Sequence, residues 1–161
     1  MANEIFKHSD QDDCHGRTLT LHDCVAERIC YSNGILRFYL PDGLWITPNH
    51  AENSLDKTVR TDAAIAEFRI EDINDITVRV FTRGAFGKTK AEIWEMSDLM
   101  DAINSGKCWF VFIYQYRAYF EQMWSCAIRS KRKPDYRECQ LHLPGTSAVF
   151  RWNDLRPDCE W

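Results

Sequence analysis

Hydrophobic residues recur in short runs along most of the chain, and turn-forming residues separate the runs. From Leu21 onward, apolar and polar positions alternate within these runs, which is the period of a half-buried strand. Asn, Gly, Pro and Asp interrupt the pattern at short intervals, as in antiparallel proteins. The pattern predicts a mostly β fold, in which antiparallel hairpins form a sandwich or a strongly curved sheet with one or two short helices.

The length predicts a single domain. The chain has 161 residues, of which 45% are hydrophobic, and a chain of this size can bury roughly 70% of its unfolded surface in one core. Within a domain over 1–161 we distinguish an N-terminal arm (1–20), a β body (21–152) and a C-terminal tail (153–161).

The first predicted hairpin turns at Asn33 and Gly34. Asn-Gly is the strongest two-residue hairpin signal, because a type I′ turn needs positive φ at both central positions. A two-residue loop places Ile29 opposite Phe38, and the apolar positions of both strands then share one face. A slip of one residue would move Phe38 to the polar face, so the pattern defines the register.

The second predicted hairpin has residues 83–88 as its loop. This loop places Arg79 opposite Glu92, which makes a cross-strand ion pair. In the same register Phe81 and Trp94 fall on the polar face. Exposed aromatic residues on a polar face are typical of a protein interface, with a second core layer as the alternative.

The third predicted hairpin joins 122–129 to 135–143 around a loop at 131–134. Its register places Cys126 opposite Cys139. We expect both thiols to stay reduced, since the chain has seven cysteines, an odd number, and no export signal,.

Residues 108–113 are apolar on both faces of a predicted strand. Trp, Val and Ile alternate with Phe through this run. Two-sided apolarity is typical of a central strand that is covered on both faces. On this alternation Tyr114 shares a face with Phe110 and Phe112.

The best helix candidate covers 97–103. Ser97 is a suitable N-cap, and Asp98 suits the positive end of the helix dipole. Gly106 is suited to close the helix.

The longest predicted connection covers residues 48–64. Loops of this length are uncommon unless they are functional or mobile. The sequence therefore permits a pocket under this loop, close to His22, Asp23 or His50. Such a pocket would indicate a small-molecule-binding protein or a small enzyme.

Charge argues against a nucleic-acid partner. Lys and Arg number 20 and Asp and Glu number 24, which gives a formal net charge of −4. Proteins that bind nucleic acid are usually basic, because they neutralise phosphates. The tip at residues 129–133 is locally basic, which is typical of a solubilising turn, with contact to an anionic partner as the alternative.

The sequence also predicts no membrane partner. The longest strongly apolar run covers residues 108–114, far short of the ~20 residues that a transmembrane helix needs. The first residues lack the basic and apolar stretches of an export signal,. We therefore expect a cytoplasmic protein.

Metal and catalytic motifs are weak. Cys14, His15, His22 and Cys24 could supply four zinc ligands, but zinc sites usually pair their ligands two to four residues apart. The five histidines and seven cysteines form no local signature of nucleophilic catalysis,. The sequence predicts no metal, no cofactor and no catalytic residues, and favours a protein that is not an enzyme.

The predicted partner-binding residues are Phe81, Trp94, Glu92, His22 and Asp23. The first three belong to the second hairpin, and the other two precede the first hairpin. Together they offer aromatic anchors and acidic charge for a protein partner.

Three segments carry a resemblance. Residues 21–24 read Leu-His-Asp-Cys, residues 33–38 read Asn-Gly-Ile-Leu-Arg-Phe, and residues 41–46 read Pro-Asp-Gly-Leu-Trp-Ile. This region resembles small uncharacterised bacterial proteins with a Leu-His-Asp start before a β-hairpin, some of which are grouped with immunity proteins of polymorphic toxin systems. The resemblance implies a small cytosolic β-domain that binds a partner protein, such as a toxin domain.

Overall fold

The computed structural model describes residues 5–12, 17–84 and 87–161. Cys14 and His15 lie outside these ranges, as do parts of the N-terminal arm and of the 83–88 loop. In the described residues the strands are β1 (His8–Asp12), β2 (Leu19–Thr20), β3 (Val25–Ala26), β4 (Arg28–Ser32), β5 (Ile35–Leu40), β6 (Trp45–Ile46), β7 (Val59–Thr61), β8 (Ala64–Arg69), β9 (Thr77–Arg83), β10 (Thr89–Trp94), β11 (Cys108–Arg117), β12 (Glu121–Ser130), β13 (Tyr136–Pro144), β14 (Ala148–Trp152) and β15 (Leu155–Glu160). The helix α1 covers Met96–Asn104, and a short 3-10 helix covers Ile73–Asp75.

The described strands form three antiparallel sheets, so the predicted mostly β fold is confirmed. The first sheet has the order β1-β14-β8-β5-β4, and the second has the order β10-β9-β13-β12-β11-β3. A smaller third sheet has the order β15-β7-β6-β2. Every strand pair in these sheets is antiparallel.

The first two sheets pack together as a sandwich around a cluster of phenylalanines. Phe38 of β5 lies 5.6 Å from Phe110 and 5.0 Å from Phe112 of β11, measured between ring centroids. Phe68 of β8 lies 5.8 Å from Phe38 in an edge-on arrangement. All four side chains are buried. Burial of such rings supplies much of the stabilisation of the fold.

The first hairpin is confirmed. Asn33 has φ 53° and Gly34 has φ 71°, as a type I′ turn requires. Ile29 lies opposite Phe38, and Tyr31 opposite Leu36.

The third hairpin is also confirmed. Cys126 lies opposite Cys139, and Trp124 opposite Leu141. Cys126 and Cys139 are both buried and free, so the two thiols are neighbours without a disulfide.

The predicted register of the second hairpin is wrong by one residue. Arg83 stays in β9 and pairs with Thr89, so the loop is shorter than expected. Trp94 therefore lies opposite Val78, on the core side of the sheet. Phe81 keeps its place on the opposite side, so these two aromatic residues do not share a face.

Burial of Trp94 explains the observed register. Trp94 packs against the core, and the guanidinium of Arg137 lies 5.0 Å from its ring centroid. The predicted register would instead have paired Arg79 with Glu92. An exposed ion pair contributes about 0–1 kcal/mol, which is less than the burial of a large aromatic side chain contributes.

The helix begins earlier than predicted, and Ser97 is not its N-cap. The N-cap residue is Glu95, whose backbone N–H donates a hydrogen bond to the Asp98 carboxylate at 3.1 Å. The buried residues of the helix are Met96, Leu99 and Ile103. None of the helices in the described part of the chain is long and apolar enough to span a membrane.

The Asn104 side chain links the end of α1 to the edge of the first sheet by two hydrogen bonds. Its side-chain oxygen accepts a hydrogen bond from the Ile29 N–H at 2.9 Å, and its side-chain amide donates to the Ile29 carbonyl at 2.8 Å. One side chain thereby replaces a strand partner at the edge of β4.

The arm and the tail belong to the sheets. Strand β1, in the predicted arm, pairs with β14, and β15, in the predicted tail, pairs with β7. The backbone N–H of Trp161 donates a hydrogen bond to the Thr58 carbonyl at 3.2 Å. Most of the predicted tail is therefore an edge strand, β15, of the third sheet.

The 48–64 connection is held by a buried side chain. Asn53 is buried, and its amide donates hydrogen bonds to the carbonyls of Ile46 at 3.0 Å and Lys57 at 2.9 Å. Its side-chain oxygen accepts from the Leu55 N–H at 3.0 Å. These bonds hold the first part of the connection in a defined path. The prediction of a loop over all of 48–64 is wrong, because Val59–Thr61 form β7 and β8 begins at Ala64.

We expect Gly43→Ala to destabilise the fold far more than Gly106→Ala. Both glycines have positive φ, 78° and 71°, which costs an alanine about 1–2 kcal/mol. A Cβ at Gly43 would also collide with the carbonyl oxygens of Thr61 and Asp62, whereas a Cβ at Gly106 meets nothing within 4 Å. We expect a loss of about 3 kcal/mol or more for Gly43→Ala, measured by urea unfolding. Equal losses in the two variants would contradict this account.

Candidate functional site

One face of the six-stranded sheet points away from the sandwich, and we call it the outer face. The cross-strand register places alternate residues of β9 to β13 on it. Its larger apolar and aromatic members are Phe81, Ile93, Trp109, Val111, Tyr114, Tyr116, Met123 and Tyr136.

Several of these side chains are strongly exposed. Ile93 is 64% exposed, Tyr114 57%, Tyr116 51% and Tyr136 48%. Single exposed apolar residues are ordinary, but a group on one face is typical of an interaction surface.

A β-bulge puts two of the tyrosines on this face. The register between β11 and β12 shifts between Phe112 and Tyr114, so Tyr114 lies opposite Ser125. Phe110 and Phe112 stay in the core, while Tyr114 and Tyr116 point outward. The prediction that Tyr114 shares a face with Phe112 is therefore wrong, because a bulge reverses the alternation that follows it.

Strand β11 is also not covered on both faces as predicted. The strand lies inside the sheet, between β12 and β3, but its two faces differ in burial. Trp109, Val111 and Ile113 are half-buried, whereas Phe110 and Phe112 are fully buried.

The hairpin tip between β11 and β12 borders a hollow at one end of the outer face. Tyr119 is 92% exposed and Phe120 is 83% exposed. The Ala118 N–H donates to the Glu121 carbonyl at 3.0 Å, and the Gly145 N–H donates to the Phe120 carbonyl at 2.7 Å. The hollow has a volume of about 510 Å³ and is lined by Asp75, Thr77, Arg79, Ala118, Tyr119, Phe120, Glu121, His142 and Pro144.

Two carboxylates, Asp75 and Glu121, line this hollow together with one cation, Arg79, and Glu71 and Asp72 shortly precede Asp75 in the chain. We call this part of the face the acidic end. Glu71, Asp72, Asp75 and Glu121 are exposed. Within the described ranges none of the four forms an ion pair with a basic residue. Their charge is therefore available to a partner.

His22 lies at the edge of the outer face next to Tyr114. Its Nδ1 donates a hydrogen bond to the Ile113 carbonyl at 2.5 Å, since a carbonyl can only accept. Its Nε2 lies 3.3 Å from the Asp23 carboxylate. The ring stacks on Trp161 at 5.0 Å and contacts Tyr114 at 5.3 Å, between centroids.

The stack continues beneath Trp161. The Trp45 ring lies 5.5 Å from Trp161, and the Arg60 guanidinium lies 4.7 Å from the Trp45 ring centroid. The indole N–H of Trp45 donates to the His22 carbonyl at 3.0 Å. The stacked side chains of His22, Trp161, Trp45 and Arg60 thus hold the end of the chain beside the outer face.

The structure does not bring the five predicted partner-binding residues into one patch. Phe81 lies on the outer face, and His22 and Asp23 lie at its β11 edge. Trp94 and Glu92 point to the other side of the sheet, since they lie opposite the buried Val78 and Val80. Strand β10, which carries them, is at the far edge from His22.

The most exposed aromatic pair, Tyr119 and Phe120, is not among the residues that the sequence pattern predicted for a site. Both lie just outside regular strand structure, where periodicity gives no orientation. Two adjacent aromatic residues at a hairpin end were the available signal.

His50 lies in a polar network that occupies both ring nitrogens. Nε2 donates to the Asp10 carboxylate at 2.8 Å, and Nδ1 accepts from the Glu52 N–H at 3.1 Å. Both ring nitrogens therefore have hydrogen-bond partners, and neither is free to act as a base in this arrangement. Among residues 5–12, 17–84 and 87–161, no cluster of three or more His, Cys, Asp or Glu side chains could hold a metal ion.

The buried cysteines are poor nucleophiles. Burial raises the pKa of Cys24 and of Cys139 to about 12. Burial also raises the pKa of Cys126 well above its ordinary value. The reactive thiolate is thus absent from these three residues at neutral pH.

A second hollow of about 500 Å³ lies on the first sheet. Its walls include Phe6, Arg28, Tyr39, Leu40 and Ala64. His22, Asp23 and His50 do not line it, so it does not bring together the groups that a pocket under the 48–64 connection would use.

No protein-family model, curated protein or solved structure matches this chain. The similarity of residues 21–46 to proteins grouped with toxin immunity stays a prediction. Function is therefore inferred from the surfaces and side chains of this chain alone.

We expect iodoacetamide at about pH 8 to modify Cys30, Cys108 and Cys159 before Cys24, Cys126 and Cys139. The first three are half-buried. The last three are buried, and their raised pKa values keep the thiols protonated well above about pH 8,. Peptide mass spectrometry of the folded protein measures the order, with a urea-unfolded sample as the control. Early modification of Cys139 would contradict this assignment.

Proposed function

We propose that this protein is a non-enzymatic protein-binding domain that docks its partner on the outer face of the six-stranded sheet. The observation that carries the proposal is the pair Tyr119 and Phe120, exposed at 92% and 83% beside a hollow. Aromatic anchors of this kind supply much of the energy of protein interfaces.

The dimensions of the outer face support this proposal. Strand β11 has ten residues and is therefore about 33 Å long, and the four spacings from β10 to β11 give a width of about 19 Å. With the hairpin tip, this surface accommodates an interface of ordinary size, about 800 Å² per partner.

The acidic end favours a basic partner. Unpaired carboxylates at Glu71, Asp72, Asp75 and Glu121 would steer a positively charged surface toward the hollow and speed association. The hollow offers Asp75 and Glu121 to a lysine or arginine that enters it.

We further propose that the partner is a bacterial toxin domain and that the protein is a cytoplasmic, immunity-type inhibitor. The resemblance of residues 21–46 supports this class, and the acidic end supports a basic toxin. The small-enzyme alternative has less support, because both nitrogens of His50 are occupied and the buried thiols are protonated.

We expect the double variant Tyr119→Ser and Phe120→Ser to weaken partner binding by about tenfold or more, because each truncated anchor costs over about 1 kcal/mol. The matched control is Ile5→Ser, since Ile5 is 91% exposed and lines the hollow on the first sheet, away from the outer face. The measurement is quantitative retention of host proteins on the immobilised wild-type, double-variant and control chains.

A second measurement tests the toxin class. Wild-type protein and the Ile5→Ser control should both restore growth to cells that express a neighbouring toxin reading frame, while the double variant should not. Equal retention of the same proteins by all three chains would count against the outer face as the docking site. Failure of the wild type to protect would count against the immunity role.

A further inference from the structure

Basic residues from three separate segments meet at the end of the outer face opposite the acidic end. Four of the five residues from Arg129 to Lys133 are Lys or Arg, and the nearest acids that follow them are Asp135 and Glu138. Arg83 and Lys107 come from two other segments. The net charge of −4 therefore hides a strongly basic region, which we call the basic end.

The strand register proves that these segments converge. Cys108, the first residue of β11, lies opposite Ser130, so Lys107, which precedes it, lies close to the tip that follows β12. Glu138 lies opposite Phe81, so the start of β13 runs beside the end of β9, where Arg83 lies.

The cations at this end are unpaired. Arg83, Lys107, Arg129 and the run Lys131, Arg132 and Lys133 are exposed, and none of them has an ion-pair partner within the ranges the structure describes. Some cations elsewhere are neutralised, as Arg37 and Arg151 are by Glu67. Unpaired cations that lie close together repel each other, and a bound polyanion would relieve this repulsion.

Two aromatic residues flank an arginine at the same place. Trp109 and Tyr136 lie on either side of Arg129 in one cross-strand row of the outer face. They are two strand spacings apart, about 10 Å. Tyr136 is 48% exposed, and Trp109 is half-buried.

We propose that the basic end is a binding site for single-stranded nucleic acid. The cations of the basic end contact phosphates, and the Trp109–Arg129–Tyr136 row offers flat surfaces on which unpaired bases stack. This site lies at the opposite end of the outer face from the acidic end, and the observations behind it are not those that carry the protein-binding proposal. A protein partner that covered the whole outer face would compete with the nucleic acid.

The aromatic row decides between kinds of polyanion. An acidic protein would bind through ion pairs with the cations and would not need aromatic stacking partners. Stacking partners at the level of Arg129 serve planar bases, and bases are available for stacking in a single strand but not in a duplex.

The experiment measures fluorescence anisotropy of labelled oligouridylate and oligothymidylate of about 12 nucleotides with the full chain. We expect both single strands to bind, and affinity to fall about 20-fold or more between about 50 mM and about 200 mM salt if three or more phosphates are contacted. The triple variant Lys131→Ser, Arg132→Ser and Lys133→Ser should lower the slope of log affinity against log salt by about 2.

The aromatic prediction has a closely matched control. Tyr136→Ala should weaken binding about tenfold, while Tyr116→Ala should leave it unchanged, since Tyr116 is 51% exposed on the same face but lies toward the acidic end. The charge control is Arg69→Ser, an exposed arginine of the first sheet. Thermal unfolding of each variant confirms that it is folded.

Several outcomes would overturn the proposal. These are no binding at about 100 μM protein in low salt, equal effects of Tyr136→Ala and Tyr116→Ala, or displacement of the oligonucleotide by polyglutamate as readily as by unlabelled strand. Equal affinity for a duplex of the same length would also overturn it. Tighter binding of oligouridylate or of oligothymidylate would support the proposal and would show whether the ligand is RNA or DNA. Retained binding in the Tyr119→Ser and Phe120→Ser variant separates this site from the proposed protein-docking site.

Discussion

The packing of Phe38 against Phe110 and Phe112 joins the two large sheets, and the outer face follows from it. Phe110 and Phe112 are buried on one side of β11, so one face of the second sheet packs against the first sheet. The residues that alternate with the core positions along each strand therefore lie on the other face, which is the outer face. Both proposed binding regions lie on that remaining face, so their geometry depends on the sandwich interface.

Sequence patterns predicted the parts of the fold in which local and long-range preferences agree. At Asn33 the turn chemistry and the alternation of apolar residues favour one register, and in the third hairpin the alternation alone was sufficient. In the second hairpin they conflict, because an ion pair of Arg79 favours one register and burial of Trp94 favours the other. Tertiary packing decided that conflict, and periodicity within the hairpin could not show it.

The candidate site was less predictable, since it depends on departures from regular alternation. The bulge at β11 turns Tyr114 and Tyr116 outward, and a bulge leaves no mark in a period-two pattern. Phe81 was placed on a polar face correctly, whereas Trp94 was not. The convergence of Arg83 and the 129–137 segment required the order of the strands, which hairpin rules do not supply.

The two ends of the outer face can act independently because salt screens them from each other. Strand β12 alone runs from Glu121 near the acidic end to Ser130 at the basic end, a distance of about 30 Å. Charges in solution are screened over about 8 Å at physiological ionic strength. A basic protein at one end and a polyanion at the other would therefore neither cancel nor repel each other's field. The net charge of −4 therefore does not predict the local charge that a ligand meets at either end.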